Sequence, residues 1–185
     1  MSLLRLDAGG WIEGVKRVPS PNFDARPPGE AVTLVVIHNI SLPPGEYGGP
    51  GILELFTNRL DCAAHPYYEA LRDLRVSAHF LIRRDGELVQ FVSTHDRAWH
   101  AGVSCFRGRE RCNDFSIGIE LEGSDFEPFT DAQYTALSHL LPALAATHPI
   151  RDIAGHADIA PGRKTDPGPF FDWSRLPPAF CIVKT

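Results

Sequence analysis

The first strong apolar pattern in the chain is the run Thr33–His38, in which aliphatic residues precede a single imidazole. A continuous apolar, β-branched run predicts a strand that is buried on both faces. His38 would then lie at the tip of this strand, where a polar side chain can reach a site at the edge of the sheet.

A second strand is predicted over Phe115–Glu122, where large apolar residues occupy every other position and small or acidic residues stand between them. Because side chains alternate between the two faces of a strand, one face would pack on the core. The opposite face, with open space over Gly118, would present Glu120.

The clearest hairpin signal is the pair of runs Val76–Arg84 and Glu87–Val92. They flank Asp85 and Gly86, which suit the two positive-φ positions of a type I′ turn. We therefore expect two antiparallel strands joined by a two-residue loop.

Two helices are predicted from apolar spacing and capping. Residues 51–60 carry apolar side chains at helical spacing. A longer helix should begin after Thr130, because Gln133 three residues later completes a capping-box signature. Its buried face would hold Tyr134, Leu137, Leu141 and Leu144. We expect Pro142 to kink this helix or to end its regular hydrogen-bond ladder.

The order of strands and helices, with no repeat or linker between them, predicts an α/β fold. We expect residues 1–185 to form a single domain with a central mixed β-sheet flanked by helices. A length of 185 residues with 43% hydrophobic content is enough for a full core without help from disulfides or metals.

Charge and cysteine usage narrow the functional classes. A net charge of −5 without any basic run argues against nucleic acid and anionic membranes as partners. The four cysteines form no CxxC pair, and the N-terminus lacks the apolar core of a signal peptide. No apolar stretch approaches the roughly 20 residues of a membrane span. We therefore expect a cytoplasmic protein, and nothing in the sequence indicates an obligate protein partner.

The segment 156–168 is too rich in proline and glycine for a helix and predicts a rigid loop. His156 and Asp166 in this loop, together with His38, supply nitrogen and oxygen ligands that suit Zn²⁺, and a catalytic zinc site leaves its fourth position to water. We expect one zinc ion per chain. Singly, each residue has an ordinary explanation, because strand-end histidines are often hydrogen-bonded core residues and an aspartate before proline often forms a turn.

Glu120 and Lys164 complete a set of side chains that suffices for hydrolysis. Zinc lowers the pKa of its bound water to about 7, Glu120 could transfer the proton to the leaving nitrogen, and Lys164 could stabilise the oxyanion. An amide fits this equipment better than a phosphate ester, which usually recruits two metals. The alternatives are a solvated loop lysine and a carboxylate on a half-exposed sheet face, but Ile119 and Leu121 indicate a well-covered strand.

Longer motifs match one known family. They are Pro19–Pro27, Ile37–Asn39, Leu42–Pro50, Arg75–His79, Arg97–Ser104, Gly108–Gly123 and the loop 156–168 with Asp172 and Trp173. From about Trp11 to Trp173 the chain resembles the cytosolic AmpD family of zinc-dependent 1,6-anhydro-N-acetylmuramyl-L-alanine amidases. That family belongs with the phage T7 lysozyme-type amidases and the peptidoglycan recognition proteins, so the resemblance implies their fold.

The resemblance also implies roles for individual residues. The implied zinc ligands are His38, His156 and Asp166, and the implied catalytic residues are Glu120 and Lys164. The implied substrate contacts are Asn39, Tyr67, Arg75 and Arg111, the two arginines holding carboxylates of the stem peptide. Trp99 is a candidate for stacking on the sugar, or else a large core residue. His65 and His100 could line the cleft.

The activity implied by the resemblance is hydrolysis of the amide between the lactyl group of 1,6-anhydro-N-acetylmuramic acid and the L-alanine of the stem peptide, in muropeptide recycling. The substrate would be an anhydromuropeptide. One alternative is an endolysin-like amidase that acts on intact peptidoglycan. Another is a non-catalytic peptidoglycan-binding module, which should lack a metal ligand, whereas all three ligand positions are filled here. A structural metal would need a closed fourth ligand, usually cysteine, and the loop 156–168 contains none.

Overall fold

The computed structural model describes residues 4–183 and contains eleven β-strands and three α-helices within that range. The strands are β1 (Lys16–Arg17), β2 (Phe23–Ala25), β3 (Leu34–Ile40), β4 (Phe80–Ile82), β5 (Leu88–Gln90), β6 (Asp96–Ala98), β7 (Cys105–Phe106), β8 (Arg109–Glu110), β9 (Ser116–Glu122), β10 (Asp152–Gly155) and β11 (Cys181–Val183). The α-helices are α1 (Gly51–Phe56), α2 (Asp131–Ala145) and α3 (His156–Ile159). Short 3₁₀ helices cover Pro66–Leu71, Cys112–Phe115 and Trp173–Arg175.

Seven of these strands form one sheet in the order β1-β5-β4-β9-β3-β10-β11. Strands β4 and β5 pair antiparallel, and the other neighbours in this sheet pair parallel. The predicted α/β class with a central mixed sheet is therefore confirmed. Two small antiparallel pairs, β2 with β6 and β7 with β8, lie outside this sheet.

The centre of the sheet is the parallel pairing of β3 with β9 on one side and β10 on the other. All seven residues of β3 have partners in β9, and His38 pairs with Glu120. On the other side Ile37 pairs with Gly155, the last residue of β10, so that His156 follows at the level of His38. Parallel strands bring their carboxyl ends to the same edge of a sheet, and this edge carries the candidate site.

Apolar side chains cover both faces of the sheet. The alternation predicted for β9 is confirmed, since Ile117, Ile119 and Leu121 pack in one cluster with the helix α2. On the opposite face Leu34 and Val36 of β3 belong to a second cluster with α3. A third cluster joins α1 to β4 and β5. Burial on both faces explains why β3 is a continuous apolar run.

The helices differ from their predicted bounds in one case. The first helix ends at Phe56 rather than at residue 60, because Asn58 adopts a left-handed conformation with φ of 59° that breaks the helix. The second begins as predicted: Thr130 accepts a hydrogen bond from the Gln133 amide, and the Gln133 side chain accepts one from the Thr130 amide. The helix runs through Pro142 and ends three residues later, at Ala145, and the predicted kink at Pro142 stays a prediction.

The predicted hairpin is present, but its turn is not of type I′. Gly86 has a φ of 87°, whereas Asp85 is not among the residues with positive φ in the described part of the chain. The Arg83 amide donates to the Glu87 carbonyl and the Gly86 amide donates to the Arg83 carbonyl. These bonds define a three-residue loop that ends in a left-handed glycine. The Asp85 carboxylate accepts from the Glu87 amide and thereby favours this alternative.

All four cysteines lie within the described residues and carry free thiols. Within the range 4–183, none of the helices is both long enough and apolar enough to traverse a lipid bilayer.

The buried side chain of Gln133 ties the start of α2 to the sheet. Its amide nitrogen donates to the carbonyls of Ile82 and Glu122, at 3.2 and 2.9 Å. We predict that Gln133→Ala lowers the free energy of unfolding by about 2 kcal/mol or more, because buried carbonyls are left without donors. Urea denaturation measures this effect, with the exposed Thr135→Ala in the same helix as the control. Equal stability of the two variants would contradict the prediction.

Candidate functional site

Three side chains converge at the carboxyl edge of the sheet to form a compact cluster. His38 lies near the end of β3, His156 is the first residue of α3, and Asp166 follows in the loop. The two Nδ1 atoms are 3.0 Å apart, and each lies 3.1 Å from Oδ2 of Asp166. In a tetrahedral zinc shell with bonds of about 2.0–2.1 Å the ligand atoms are separated by about 3.3 Å. The triangle therefore has nearly the size of one face of such a shell, and the cluster could hold a metal ion.

The protonation of this cluster suits a cation. Burial lowers the pKa of His38 to about 4, so that its imidazole is neutral at neutral pH. Burial by itself would raise the pKa of Asp166, but its contacts with His156 and His38 outweigh that effect and hold the pKa below its usual range. A neutral imidazole and an ionised carboxylate are the forms in which these side chains bind metal.

Glu120 stands beside the cluster on the neighbouring strand. Its side chain is buried, and Oε2 has no hydrogen-bond partner among residues 4–183. Burial raises the pKa of Glu120 well above its usual value; the charge of Asp166 raises it further, and that of Lys164 opposes the shift. A buried carboxylate oxygen without a protein partner is costly for stability, and such atoms are typical of functional sites.

Lys164 is carried by the loop that follows α3. The predicted rigid loop 156–168 is partly wrong, because residues His156–Ile159 form one helical turn. Beyond it, the backbone amide of Lys164 donates to the Ala160 carbonyl, and the Ala157 amide donates to the Asp166 carbonyl. These bonds fold the loop back, so that the exposed Lys164 lines the same cavity as the cluster.

Asn39, predicted as a substrate contact, also lines this cavity but is engaged with the protein. Its side-chain nitrogen donates to Oδ1 of Asp125 at 2.6 Å and to the carbonyl of Pro167 at 3.1 Å. Because Pro167 follows Asp166, this pair of bonds fastens the loop to β3 next to the cluster. A role of Asn39 toward substrate stays a prediction.

Most of the site residues predicted from the sequence line one cavity of about 680 Å³. It is lined by His38, Asn39, Tyr67, Arg75, Trp99, Glu120, His156, Lys164 and Asp166. Tyr67 is exposed and Trp99 is half-buried, so both present surface to this space. The Arg75 guanidinium is exposed and is held by the carbonyls of Arg72 and Leu74.

Arg111 lies elsewhere than the other predicted substrate contacts. It lines a neighbouring cavity of about 510 Å³, and its Nε lies 3.2 Å from Oδ2 of Asp114. The two cavities share Gly102 and Arg163 in their walls. Spacing along the chain gave no indication of this separation, because Arg111 stands in an irregular segment whose path depends on tertiary contacts.

The structure adds residues that sequence reasoning missed or left open. Arg163, which lines both cavities, donates to the carbonyls of Ala101 and Val103. The one feature of the sequence that could have indicated Arg163 is its position directly before Lys164. His100 lines the main cavity as expected, and it fills the space over Gly118 that had been predicted to be open. A Cβ atom at Gly118 would lie 2.4 Å from Cγ of His100, so only glycine fits there.

Comparison with known proteins identifies the relatives of this chain. The family model for N-acetylmuramoyl-L-alanine amidase matches residues 28–169. The chain is 61% identical over 169 residues to 1,6-anhydro-N-acetylmuramyl-L-alanine amidase AmpD of Escherichia coli K12, covering 90% of this chain and 92% of that protein. The enzyme of the same name from Haemophilus influenzae is 51% identical over 169 residues, covering 90% and 92% of the two chains.

Solved structures agree with these relationships. The crystal structure of a selenomethionine derivative of AmpD has a TM-score of 0.90 at 60% identity and covers 92% of this chain and 96% of its own. The amidase AmiD of E. coli, in complex with anhydro-N-acetylmuramic acid-L-Ala-D-gamma-Glu-L-Lys, has a TM-score of 0.56 at 29% identity, covering 92% of this chain and 63% of its own. The predicted amidase-like fold is therefore confirmed.

The raised pKa of Glu120 predicts a pH-dependent cost for the fold. Between the pKa of the unfolded chain, about 4.3, and the higher pKa of the folded protein, only the unfolded state ionises, so stability falls by about 1.4 kcal/mol per pH unit. In metal-free protein Glu120→Gln should therefore be more stable than the parent at neutral pH, and the gap should close toward acid pH. Urea denaturation across this range tests it, with the exposed Glu110→Gln as control. A gap that does not change with pH would contradict the assigned shift.

Proposed function

The chain belongs to the N-acetylmuramoyl-L-alanine amidase family, and on that basis we propose that it hydrolyses the amide between the lactyl group of 1,6-anhydro-N-acetylmuramic acid and the L-alanine of the stem peptide. The observation that carries the proposal is the complete triangle of His38, His156 and Asp166 in a chain so similar to enzymes of that name. The proposed role is the recycling of muropeptides, with an anhydromuropeptide as substrate.

We propose that His38, His156 and Asp166 hold one zinc ion per chain. The donor set supports this, because two imidazole nitrogens and one carboxylate oxygen are typical zinc ligands and leave a position open. Oε2 of Glu120, beside the cluster, has no hydrogen-bond partner in the part of the chain that the structure describes, which also supports a ligand at this place. When bound, zinc would lower the pKa of a water molecule to about 7 and polarise the substrate carbonyl.

Glu120 is the proposed general base and acid. Its burial and raised pKa suit a carboxylate that accepts a proton from the attacking water and then delivers it to the leaving nitrogen of L-alanine. Lys164 is proposed to hold the oxygen of the scissile carbonyl as it gains negative charge. An ammonium group at this position would act in the transition state, where the charge develops, more than in the ground state.

The two cavities suggest how an elongated substrate would lie. We propose that the sugar contacts Trp99 and Tyr67 in the main cavity and that Asn39 and Arg75 contact the substrate near the scissile bond and the first stem residues. Arg111 would bind a carboxylate farther along the peptide, since its cavity adjoins the first through shared walls. A guanidinium matches a carboxylate with two parallel hydrogen bonds, which suits this role.

We propose that the protein works in the cytoplasm. The four free thiols support a reducing compartment. Imported turnover fragments of the wall are the substrates that an amidase would meet there.

Zinc binding is the first prediction. We expect one zinc ion per chain, lost in His38→Ala, His156→Ala and Asp166→Ala, because each substitution removes one ligand of the triangle. His148→Ala is the control, since His148 bonds to Thr94 and not to the cluster. Elemental analysis after mild purification gives the stoichiometry. Zinc retained by all three ligand variants would refute the assignment.

Turnover should separate catalysis from metal binding. We predict that Glu120→Ala keeps its zinc and loses about 10²-fold or more in kcat, because proton transfer is removed and not a ligand. Lys164→Ala should behave in the same way through the lost oxyanion contact. The exposed Lys16→Ala serves as the control. If either catalytic variant folds but loses its metal, that residue belongs to metal binding instead.

Substrate choice tests the proposed function directly. The purified protein should release peptide from anhydromuropeptides far faster than from intact sacculi, with products identified by mass and Glu120→Ala as the inactive control. Equal or greater activity on sacculi would favour an endolysin-like amidase. Absence of cleavage on both, with ligand bound, would favour a non-catalytic module.

A further inference from the structure

His100 contacts the cluster without supplying an atom to the triangle. Its Nδ1 lies 3.0 Å from Nε2 of His38, on the side of that ring opposite the triangle. Its Nε2 lies 3.2 Å from the hydroxyl of Ser116. The Ser116 hydroxyl in turn donates to the carbonyl of Cys112 at 2.6 Å. Three buried side chains thus form one chain of hydrogen bonds that ends on the backbone.

The backbone carbonyl of Cys112, at the end of this series of hydrogen bonds, determines which atom donates in each of them. A carbonyl only accepts, so the single proton of Ser116 points to Cys112, and the hydroxyl oxygen accepts from Nε2–H of His100. A neutral imidazole carries one ring proton, so Nδ1 of His100 is bare and accepts from Nε2–H of His38. This direction leaves Nδ1 of His38 bare, and it opposes the pull of Asp166, whose Oδ2 lies 3.1 Å from Nδ1 and would accept a proton there.

We propose that His100 is a positioning residue that fixes His38 in the tautomer able to bind metal through Nδ1. Without His100 as an acceptor at Nε2, a neutral His38 would carry its proton on Nδ1 and donate it to Oδ2 of Asp166, 3.1 Å away. The Nδ1–H form cannot act as a ligand through that atom. Partners of this kind behind a metal ligand also fix the orientation of its ring. The inference rests on the proposed zinc site.

The fold holds the His100 ring in place from several sides. The side-chain oxygen of Asn113 accepts from the backbone amides of both His100 and Ala101, at 3.1 and 2.8 Å. Gly118 lies against the ring, where any side chain would collide with it. Ala101, the next residue, contacts the second histidine of the triangle, because its carbonyl oxygen lies 3.2 Å from Nε2 of His156. The pair His100 and Ala101 thus faces both imidazoles of the triangle.

The first test uses two substitutions at His100. His100→Leu keeps an apolar side chain of similar size but removes the acceptor, and the zinc dissociation constant should rise by about 10- to 100-fold. His100→Asn keeps an oxygen close to the position of Nδ1 and should recover most of the lost affinity. Competition with a chelator measures the affinity, and thermal unfolding of the metal-free variants checks the fold. Parent-like affinity of His100→Leu, or no recovery in His100→Asn, would overturn the proposal.

The second test removes the Ser116 hydroxyl, which connects His100 to the backbone carbonyl of Cys112. Ser116→Ala should weaken zinc binding, because His100 is then free to carry its proton on Nδ1 and to face His38 with it. Ser20→Ala is the matched control, since the Ser20 hydroxyl is equally buried and also donates to a backbone carbonyl, that of Phe56, on a different part of the fold. An equal loss of affinity in both variants would indicate a general effect of lost buried hydrogen bonds and would contradict the proposal.

Histidine ring nitrogens can also be read directly by NMR in the metal-free parent. Long-range ¹⁵N–¹H correlations should show His38 protonated at Nε2 and bare at Nδ1, and Ser116→Ala should introduce the other tautomer. Protonation of Nδ1 in the parent would overturn the inference. This measurement needs no zinc and no activity. If the parent binds no zinc, the proposed metal site fails, while the tautomer result still decides the role of His100.

Discussion

The parallel pairing of β3 with β9 and β10 is the constraint on which the rest of this structure depends. Hydrogen-bonded register places His38 beside Glu120 and sets the end of β10 level with Ile37, so that His156 emerges next to His38. Shifting a strand by one residue would turn its side chains to the opposite face and dismantle the cluster. The apolar residues on both faces of these strands therefore stabilise the geometry of the site as well as the core.

Two buried glutamates on β9 differ in how the surrounding residues satisfy their carboxylates. Glu122 illustrates the ordinary case, since its buried carboxylate meets the Arg83 guanidinium at 2.7 Å. Glu120, two residues earlier on the same face, has a carboxylate oxygen that meets no hydrogen-bond partner in the described part of the chain. For Glu120, desolvation opposes the ionised carboxylate. For Glu122, the Arg83 guanidinium compensates for the loss of solvation. That contrast on one strand sets Glu120, the carboxylate proposed for catalysis, apart from Glu122, which is satisfied by an ion pair.

Support behind the triangle comes from residues that reach it through hydrogen bonds. Asn39 fastens the loop that carries Asp166, and the Ala101 carbonyl faces His156. His100 connects His38 to Ser116 inside the sheet. These contacts link the three side chains of the triangle to β3, to β9 and to the segment before β9. Such support would let the proposed ligands bind a cation without rearrangement, and it requires crowded packing around Gly118.

The sequence alone determined whatever depends on local pattern: the buried strand ending near His38, the alternation of β9, the capping box at Thr130 and the residue types of the triangle. These follow from periodicity, hydrogen-bonding capacity and ligand chemistry, which act over a few residues. Tertiary structure decided the rest. It filled the space over Gly118 with His100, bound Asn39 to Asp125 and moved Arg111 into a second cavity. Those outcomes depend on side chains far apart in sequence, and their packing leaves no periodic trace along the chain.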